Sequence, residues 1–167
     1  MNNTTLAEIF KTFADIHEII GDQNAKFKTR AYQQASLTLQ NLPKDIIEYI
    51  DQDKQEFTEH IPGFGQAIKH KILEFILTGE IQELIELKKT IPSGLLNMLE
   101  LQNVGPKKVK KFYEELNIEN IDQLKDKILS GQVAKLEGMG EKSAQKILDS
   151  IENYANYSKR TPLGKIY

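Results

Sequence analysis

Apolar residues recur every three or four positions through most of the chain, which is the spacing of amphipathic helices. In the segment 4–20 the apolar positions are Leu6, Ile9, Phe10, Phe13, Ile16, Ile19 and Ile20. Thr5 and Glu8 have the spacing of a capping box, and Gly21 follows the last apolar residue. A second helix is predicted over 25–42, with apolar residues at Phe27, Ala31, Ala35 and Leu39. The chain is therefore expected to begin with two helices.

The same spacing continues to the end of the chain. It covers the segments 66–78, 79–89, 95–101, 109–116, 121–129 and 142–157. Pro43 is expected to open a short helix over 43–50, because proline is accepted in a first helical turn. No stretch alternates strictly for long enough to predict a strand, and Pro92 and Gly94 interrupt the helical pattern within 88–94. We predict an all-α fold with two small helical domains, 1–88 and 89–157, and a linker over 158–167.

Composition narrows the class of protein. Hydrophobic residues make up 40% and charged residues 28% of the 167 positions, which is ordinary for a globular protein. There is no cysteine, which excludes disulfides, thiolate catalysis and cysteine-ligated metals. We find no apolar run long enough to cross a bilayer and no signal-peptide pattern in MNNTTLAEIF. The expected location is the cytoplasm, with no membrane partner.

Charge is distributed unevenly. Residues 1–60 hold 6 Lys/Arg against 10 Asp/Glu, a net −4, whereas residues 61–167 hold 16 against 14, a net +2. The segment NVGPKKVKKF (103–112) has four lysines and no acid. A polyanion would therefore bind at focal points and not over the whole surface.

Three segments align without gaps. They are IPGFGQAIKHKILEFI (61–76), LQNVGPKKVKKFYEEL (101–116) and LEGMGEKSAQKILDSI (136–151). Each has an apolar residue, a turn with glycine or asparagine, a second apolar residue, a glycine and then a helix. The repeat predicts helix-hairpin-helix motifs, in which glycines permit positive φ or close approach by another chain. The unpaired N–H groups at the start of each second helix would favour a phosphate.

Such hairpins bind a nucleic-acid backbone without reading bases. Pro106 suits a first helical position, and Lys107 and Lys108 follow it. The residues predicted to contact DNA are Gly63, Gly65, Gln66, Ala67, Lys69, Gly105, Lys107, Lys108, Lys111, Gly138, Gly140 and Lys142. For a single copy, a plain corner between two helices would be an equal alternative. A dinucleotide-binding turn is disfavoured because no strand precedes any copy.

The motifs AKFKTRAYQQA, PGFGQAIKHKI, NVGPKKVKKFYEELNI and EGMGEKSAQKIL resemble the N-terminal half of a family X DNA polymerase, the group that includes DNA polymerase β, and especially its bacterial members. The resemblance implies a lyase-like domain that holds the downstream strand, a second helical domain that holds the primer side, and a following palm in a DNA repair polymerase. The palm motifs are absent here, so the parent would be a DNA-directed DNA polymerase whereas this chain would not polymerise. Asp51 and Asp53 form an Asp-x-Asp only in a predicted loop.

In the family's lyase domains, a lysine forms a Schiff base with C1′ of a 5′-deoxyribose phosphate. The matching residue is Lys71, and Tyr32 and Lys28 match residues that line the pocket. Against catalysis, the repeat places Lys111 and Lys146 at the position of Lys71. The basic residues that grip a 5′-phosphate in the family are replaced here by Phe27, Gln33, Ala67 and Glu83. A phosphate grip should be weaker without them, although Phe27 can stack on a base.

The favoured hypothesis is a monomeric, non-sequence-specific module that binds gapped, nicked or incised DNA. The alternatives are a lyase acting through Lys71 and a helical protein-interaction adaptor. No cofactor is expected, apart from Na⁺ or K⁺, which the resemblance implies at the hairpins. Its predicted ligands are the main-chain carbonyls of Glu59, Ile61, Phe64, Leu99, Leu101 and Val104. The histidines are too isolated in the sequence to suggest a metal site.

Overall fold

The computed structural model describes residues 2–21 and 23–160, with the side chains of 157–160 excepted. The chain divides between Thr90 and Ile91 into two compact units. The predicted all-α fold is confirmed. In the described part of the chain, the only β-structure is a ribbon of two-residue strands, in which β1 (Ile50–Asp51) pairs antiparallel with β2 (Glu56–Phe57).

In the part of the first unit that the structure describes, there are four α-helices. They are α1 (Asn2–Ile20), α2 (Ala25–Asn41), α3 (Gln66–Thr78) and α4 (Gln82–Lys88). The most extensive contact is between α1 and α2, and Ser36 Oγ donates to the Ala7 carbonyl oxygen at 2.8 Å across it. The rings of Phe10, Phe13 and His17 on α1 all stack on Tyr32 of α2, with 4.5 Å between the Phe13 and Tyr32 centroids. This aromatic stack forms the centre of the first core.

Two local predictions in this unit are wrong. Helix α1 begins at Asn2, so Thr5 lies inside the helix and not at its cap. The main-chain N–H of Asn2 instead donates to Asp45 Oδ2 at 3.2 Å, and Asn3 Oδ1 accepts from the Ile46 N–H at 2.7 Å. The helix predicted from Pro43 is a 3-10 turn limited to Ile46–Tyr49. Asp45 caps that turn as well as α1, which explains why it starts after the proline.

The described residues of the second unit, 91–160, also form four α-helices. They are α5 (Ser93–Met98), α6 (Pro106–Leu116), α7 (Ile121–Leu129) and α8 (Glu141–Arg160), with a 3-10 turn at Val133–Lys135. Their apolar faces bury Leu95, Met98, Phe112, Leu124 and Ile147 completely. At Gly94 a Cβ would collide with the Glu119 carbonyl oxygen and lie 2.9 Å from Asn120 Cα, so glycine lets α5 pack against the chain that enters α7.

The last helix extends into the segment predicted to be a linker. Because α8 runs to Arg160, residues 158–160 are helical, and residues 161–167 lie outside the described residues. Within the part that the structure describes, no helix is long and apolar enough to cross a membrane.

Candidate nucleic-acid interface

The three repeated turns share a backbone feature at their middle residue. Gly63, Asn103 and Gly138 occupy equivalent positions and have φ of +93°, +68° and +79°. Glycine adopts this left-handed conformation without strain, and asparagine is one of the few other residues that tolerates it. The asparagine in the second repeat is therefore consistent with the same turn geometry. At Gly63 a Cβ would also lie 2.6 Å from Thr38 Oγ1 on α2.

The second glycine of each turn opens the following helix. The carbonyl oxygens of Gly65, Gly105 and Gly140 accept hydrogen bonds from the N–H groups of Lys69, Val109 and Ala144, respectively, at 2.9–3.0 Å. Gly65 and Gly105 have φ of −85° and −109°, values that any residue can adopt. A Cβ added at any of the three glycines would meet nothing within 4 Å. Neither backbone strain nor internal packing therefore explains why this position is glycine.

Apolar residues on both sides of the turn anchor the first two hairpins. Ile61 and Phe64 are buried in the first, and Leu101 and Val104 are buried in the second. In the third hairpin, Leu136 and Met139 are only half-buried. The third turn thus has a shallower anchor than the other two.

The starts of α3 and α6 lack a side-chain cap. Neither Gly65 nor Gly105 has a side chain that could accept from the first N–H groups, and Pro106 removes one of these N–H groups in α6. By contrast, α7 is capped by Asn120, whose Oδ1 accepts from the Gln123 N–H at 2.8 Å. The partial positive charge of the helix start is therefore left for an external anion at the two hairpin helices.

The predicted DNA-contacting residues lie mostly on exposed surface. Gln66 and Ala67 are exposed in the first turn of α3, and Lys107 and Lys142 are exposed at the starts of α6 and α8. Lys69 is half-buried, with Nζ 5.7 Å from the Phe57 ring centroid. Lys108 turns back, and its Nζ donates to the Asn103 carbonyl oxygen at 2.8 Å. At the start of α6, Lys107 is thus exposed, whereas Lys108 braces its own turn.

Lys111 connects two hairpins of the second unit. Its Nζ donates to the carbonyl oxygen of Glu137, in the third turn, at 2.6 Å. Sequence spacing indicated a DNA contact for Lys111 but gave no sign of this link, because the partner is a main-chain atom 26 residues away. The bond holds the third turn against α6.

Lys71 has surroundings that neither Lys111 nor Lys146 shares. Its side chain is 13% exposed, and Nζ lies 3.5 Å from Glu83 Oε2. The same Nζ lies 5.8 Å from the Tyr32 ring centroid and 6.0 Å from that of Phe13. Lys146 is exposed, whereas Lys111 reaches the Glu137 carbonyl. The equivalence of the three lysines in the repeat therefore does not extend to their environments.

Glu83 is the partner of Lys71, and the sequence alone gave no sign of this contact. Its Oε2 also accepts a hydrogen bond from Tyr32 Oη at 3.2 Å. Burial of the phenol raises the pKa of Tyr32, and the Glu83 carboxylate adds to that effect. Tyr32 and Lys71 are thus brought together around Glu83. Lys28 lies on the exposed face of α2, where its side chain makes no hydrogen bond or ion pair with a described residue, and Phe27 beside it is 77% exposed.

The carbonyls predicted to hold a monovalent cation lie in the first two turns. The Ile61 carbonyl oxygen accepts from the Phe64 N–H at 3.2 Å. Among the described residues, the other five accept no main-chain hydrogen bond from a turn or cap. A set of neutral carbonyl oxygens without a carboxylate fits a hard cation of low charge. These residues therefore fit Na⁺ or K⁺, which stays a prediction.

Comparison with known proteins finds family models that match all three turns. A family model described as a helix-hairpin-helix domain matches residues 1–81, and one described as a SAM-like helix-hairpin-helix tandem matches residues 95–153. Each of the two compact units thus matches a helix-hairpin-helix model.

The chain is similar to DNA polymerases over most of its length. It is 29% identical to the DNA polymerase/3'-5' exonuclease PolX of Bacillus subtilis over 98% of the chain and 27% of that protein. It is 23% identical to DNA polymerase lambda of Arabidopsis thaliana over 89% of the chain and 30% of that protein. The chain thus spans less than a third of each relative. The resemblance to family X DNA polymerases is confirmed.

Proposed function

We propose that this chain is a non-sequence-specific DNA-binding module of a family X repair polymerase, and that its three hairpin turns hold the phosphate backbone. The observation that carries the proposal is the second glycine at Gly65, Gly105 and Gly140. Its Cβ would point into open space in all three turns, so internal packing gives no reason for glycine at this position. A nucleic-acid backbone that approaches the main chain closely provides one. The helix-hairpin-helix models and the polymerase relatives support it independently.

The contact at each turn is proposed to be a phosphate at the start of a helix. The uncapped N–H groups of α3 and α6 donate to phosphate oxygens, and exposed lysines add charge. Lys107 in the second hairpin and Lys142 in the third take this role. These contacts involve no base edge, so affinity should depend little on sequence. A monovalent cation bound by the turn carbonyls of the first two hairpins would add positive charge beside the phosphates.

The preferred DNA is proposed to contain a gap, a nick or an incision. One hairpin belongs to the first compact unit and two belong to the second. Two separate units can each hold one duplex arm beside a break, where DNA bends more easily than in a continuous duplex. We propose that the chain does this as a monomer.

Titrating labelled DNA with the protein at several salt concentrations tests this function. The substrates are a gapped duplex and an intact duplex of the same sequence and length. We expect the gapped duplex to bind more tightly and its affinity to fall steeply with salt, because each neutralised phosphate contributes a slope of about −0.9 in log K against log salt. A slope near zero would contradict backbone binding, and equal affinity for both duplexes would contradict the preference for gaps.

A second candidate function, 5′-deoxyribose phosphate or abasic-site lyase activity, is favoured by the surroundings of Lys71. Of the three equivalent lysines, Lys71 alone combines a largely buried stem with a carboxylate and a tyrosine. In the reaction, the neutral amine adds to the C1′ aldehyde and water leaves to form a Schiff base. Loss of a C2′ proton to a base then breaks the C3′–O bond and releases the DNA strand that carries the phosphate, and water hydrolyses the remaining imine to free Lys71. The Lys71–Glu83 ion pair has to open before the amine adds.

Borohydride trapping on incised abasic DNA tests the lyase. We expect an adduct with the unmodified chain that Lys71→Ala removes and that Lys111→Ala and Lys146→Ala retain. An adduct that survives Lys71→Ala, or none with the unmodified chain, would rule out the lyase without affecting the binding proposal.

A further inference from the structure

Glu83 places a negative charge where the first unit would otherwise present a free cation. One oxygen, Oε2, is 3.5 Å from Lys71 Nζ and 3.2 Å from Tyr32 Oη. The Lys71 side chain is 13% exposed and that of Glu83 is 57% exposed. Glu83 therefore lies on the solvent side of the lysine, where an incoming ligand would have to approach.

Among the described residues, Lys71 is the only cation that contacts Glu83 or Tyr32. On its inner side, the Lys71 ammonium faces the rings of Tyr32 and Phe13. Glu83 neutralises the charge of Lys71 and occupies the Tyr32 hydroxyl, the nearest neutral donor. A terminal phosphate carries nearly two negative charges near neutral pH and would have to displace the carboxylate or lie against it.

We propose that Glu83 is a specificity-determining residue that prevents this pocket from selecting a DNA end with a 5′-phosphate. The pocket then accepts a 5′-hydroxyl end as readily as a phosphorylated end. This inference rests on the proposed DNA binding, because it concerns which strand end the first unit tolerates. In this role, Glu83 pairs with Lys71 and accepts the hydrogen bond from Tyr32, so that neither side chain is available to bind a phosphate.

The chain offers a closely matched control for Glu83. Glu86 lies on the same helix, α4, has a similar exposure of 61%, and is 3.5 Å from its own partner, Lys89. Glu86→Gln changes the net charge of the protein by the same amount as Glu83→Gln but leaves Lys71 paired. A difference between the two variants therefore reports on the pocket and not on the total charge.

The experiment compares affinities for two gapped duplexes that differ only in a 5′-phosphate or a 5′-hydroxyl on the downstream strand. For the unmodified chain and Glu86→Gln, we expect the two dissociation constants to agree within about twofold. Glu83→Gln frees the ammonium while keeping the side-chain shape, and it should favour the phosphorylated end by roughly fivefold to tenfold, a typical effect of one partly screened charge. Glu83→Ala, which also removes the contact with Tyr32, should change the ratio in the same direction.

Two results would overturn the assignment. One is an unmodified chain that already prefers the phosphorylated end by fivefold or more. The other is a Glu83→Gln variant whose ratio matches that of Glu86→Gln. Failure of the unmodified chain to bind either duplex at low salt is a separate result, and it would overturn the proposed DNA binding together with this inference.

Discussion

Replacing Gly105 by alanine should separate DNA binding from stability. Gly105 has φ of −109° and ψ of 178°, which alanine adopts readily, and no atom lies within 4 Å of the new Cβ. Alanine is a poorer N-cap than glycine, which destabilises the folded chain by roughly 0.5–1 kcal/mol. Alanine also reduces the conformational entropy of the unfolded chain, which stabilises the folded chain by a comparable amount of about 0.4–1 kcal/mol. The two terms nearly cancel, so the free energy of unfolding should change by less than about 0.5 kcal/mol.

The same substitution should weaken DNA binding. The methyl group would project from the turn where we propose that a phosphate approaches the start of α6. Loss of one charge-assisted hydrogen bond costs about 1.5–3 kcal/mol, so the affinity should fall by roughly tenfold to 150-fold. Fluorescence anisotropy with a labelled gapped duplex at low salt measures this change, and thermal unfolding monitored by circular dichroism measures the stability.

Gly131→Ala, in the same unit, is the control: it should lower stability without lowering DNA affinity. Gly131 has φ of +84° and also faces open space, so alanine there is strained by its backbone alone. The variant should lose about 1–2 kcal/mol of stability while it keeps its DNA affinity at temperatures where it is folded. The backbone-contact model would be refuted if Gly105→Ala bound DNA like the unmodified chain, or if it lost affinity only in proportion to lost stability.

Three further predictions concern individual contacts. Asn103→Ala should cost about 1 kcal/mol in the free energy of unfolding because φ is +68°, whereas Asn103→Gly should not; equal melting temperatures would contradict this. Lys111→Met should speed amide hydrogen exchange around Glu137, measured by mass spectrometry, because it removes the 2.6 Å hydrogen bond to that carbonyl; unchanged exchange would remove the proposed link. Burial and the Glu83 carboxylate raise the pKa of Tyr32 above its ordinary value of 10.0. The folded chain then keeps this proton longer than the unfolded chain, so stability falls as pH rises above about 10, and Tyr32→Phe should make that fall shallower in urea unfolding at pH 9 to 11.

The helices and hairpins could largely be predicted because their signals are local. Apolar spacing identified the helices, and Pro106 lies at the first position of α6 as expected. The positive φ at Gly63 and Gly138 follows from residue type, since glycine is the residue best suited to it. The positive φ of Asn103 could be expected only from its position opposite these two glycines in the repeat.

The errors arose where distant residues decide the outcome. The start of α1 depends on bonds between Asn2 and Asp45 and between Asn3 and Ile46, more than 40 positions apart in each case. The Thr5 and Glu8 spacing was a plausible local cap that lost to these contacts. The short helix expected at Pro43 is reduced to a 3-10 turn for the same reason, because Asp45 serves both elements.

The sequence by itself determined the helical class and the repeated turns, because periodicity and glycine chemistry act over a few residues. Only the tertiary structure distinguished Lys71, Lys111 and Lys146, which the repeat makes equivalent. Lys71 meets Tyr32 from α2 and Glu83 from α4, Lys111 meets the Glu137 carbonyl, and Lys146 is exposed. A side chain's chemistry depends on charges and donors within a few ångströms, and here those neighbours come from separate elements that fold onto the helix.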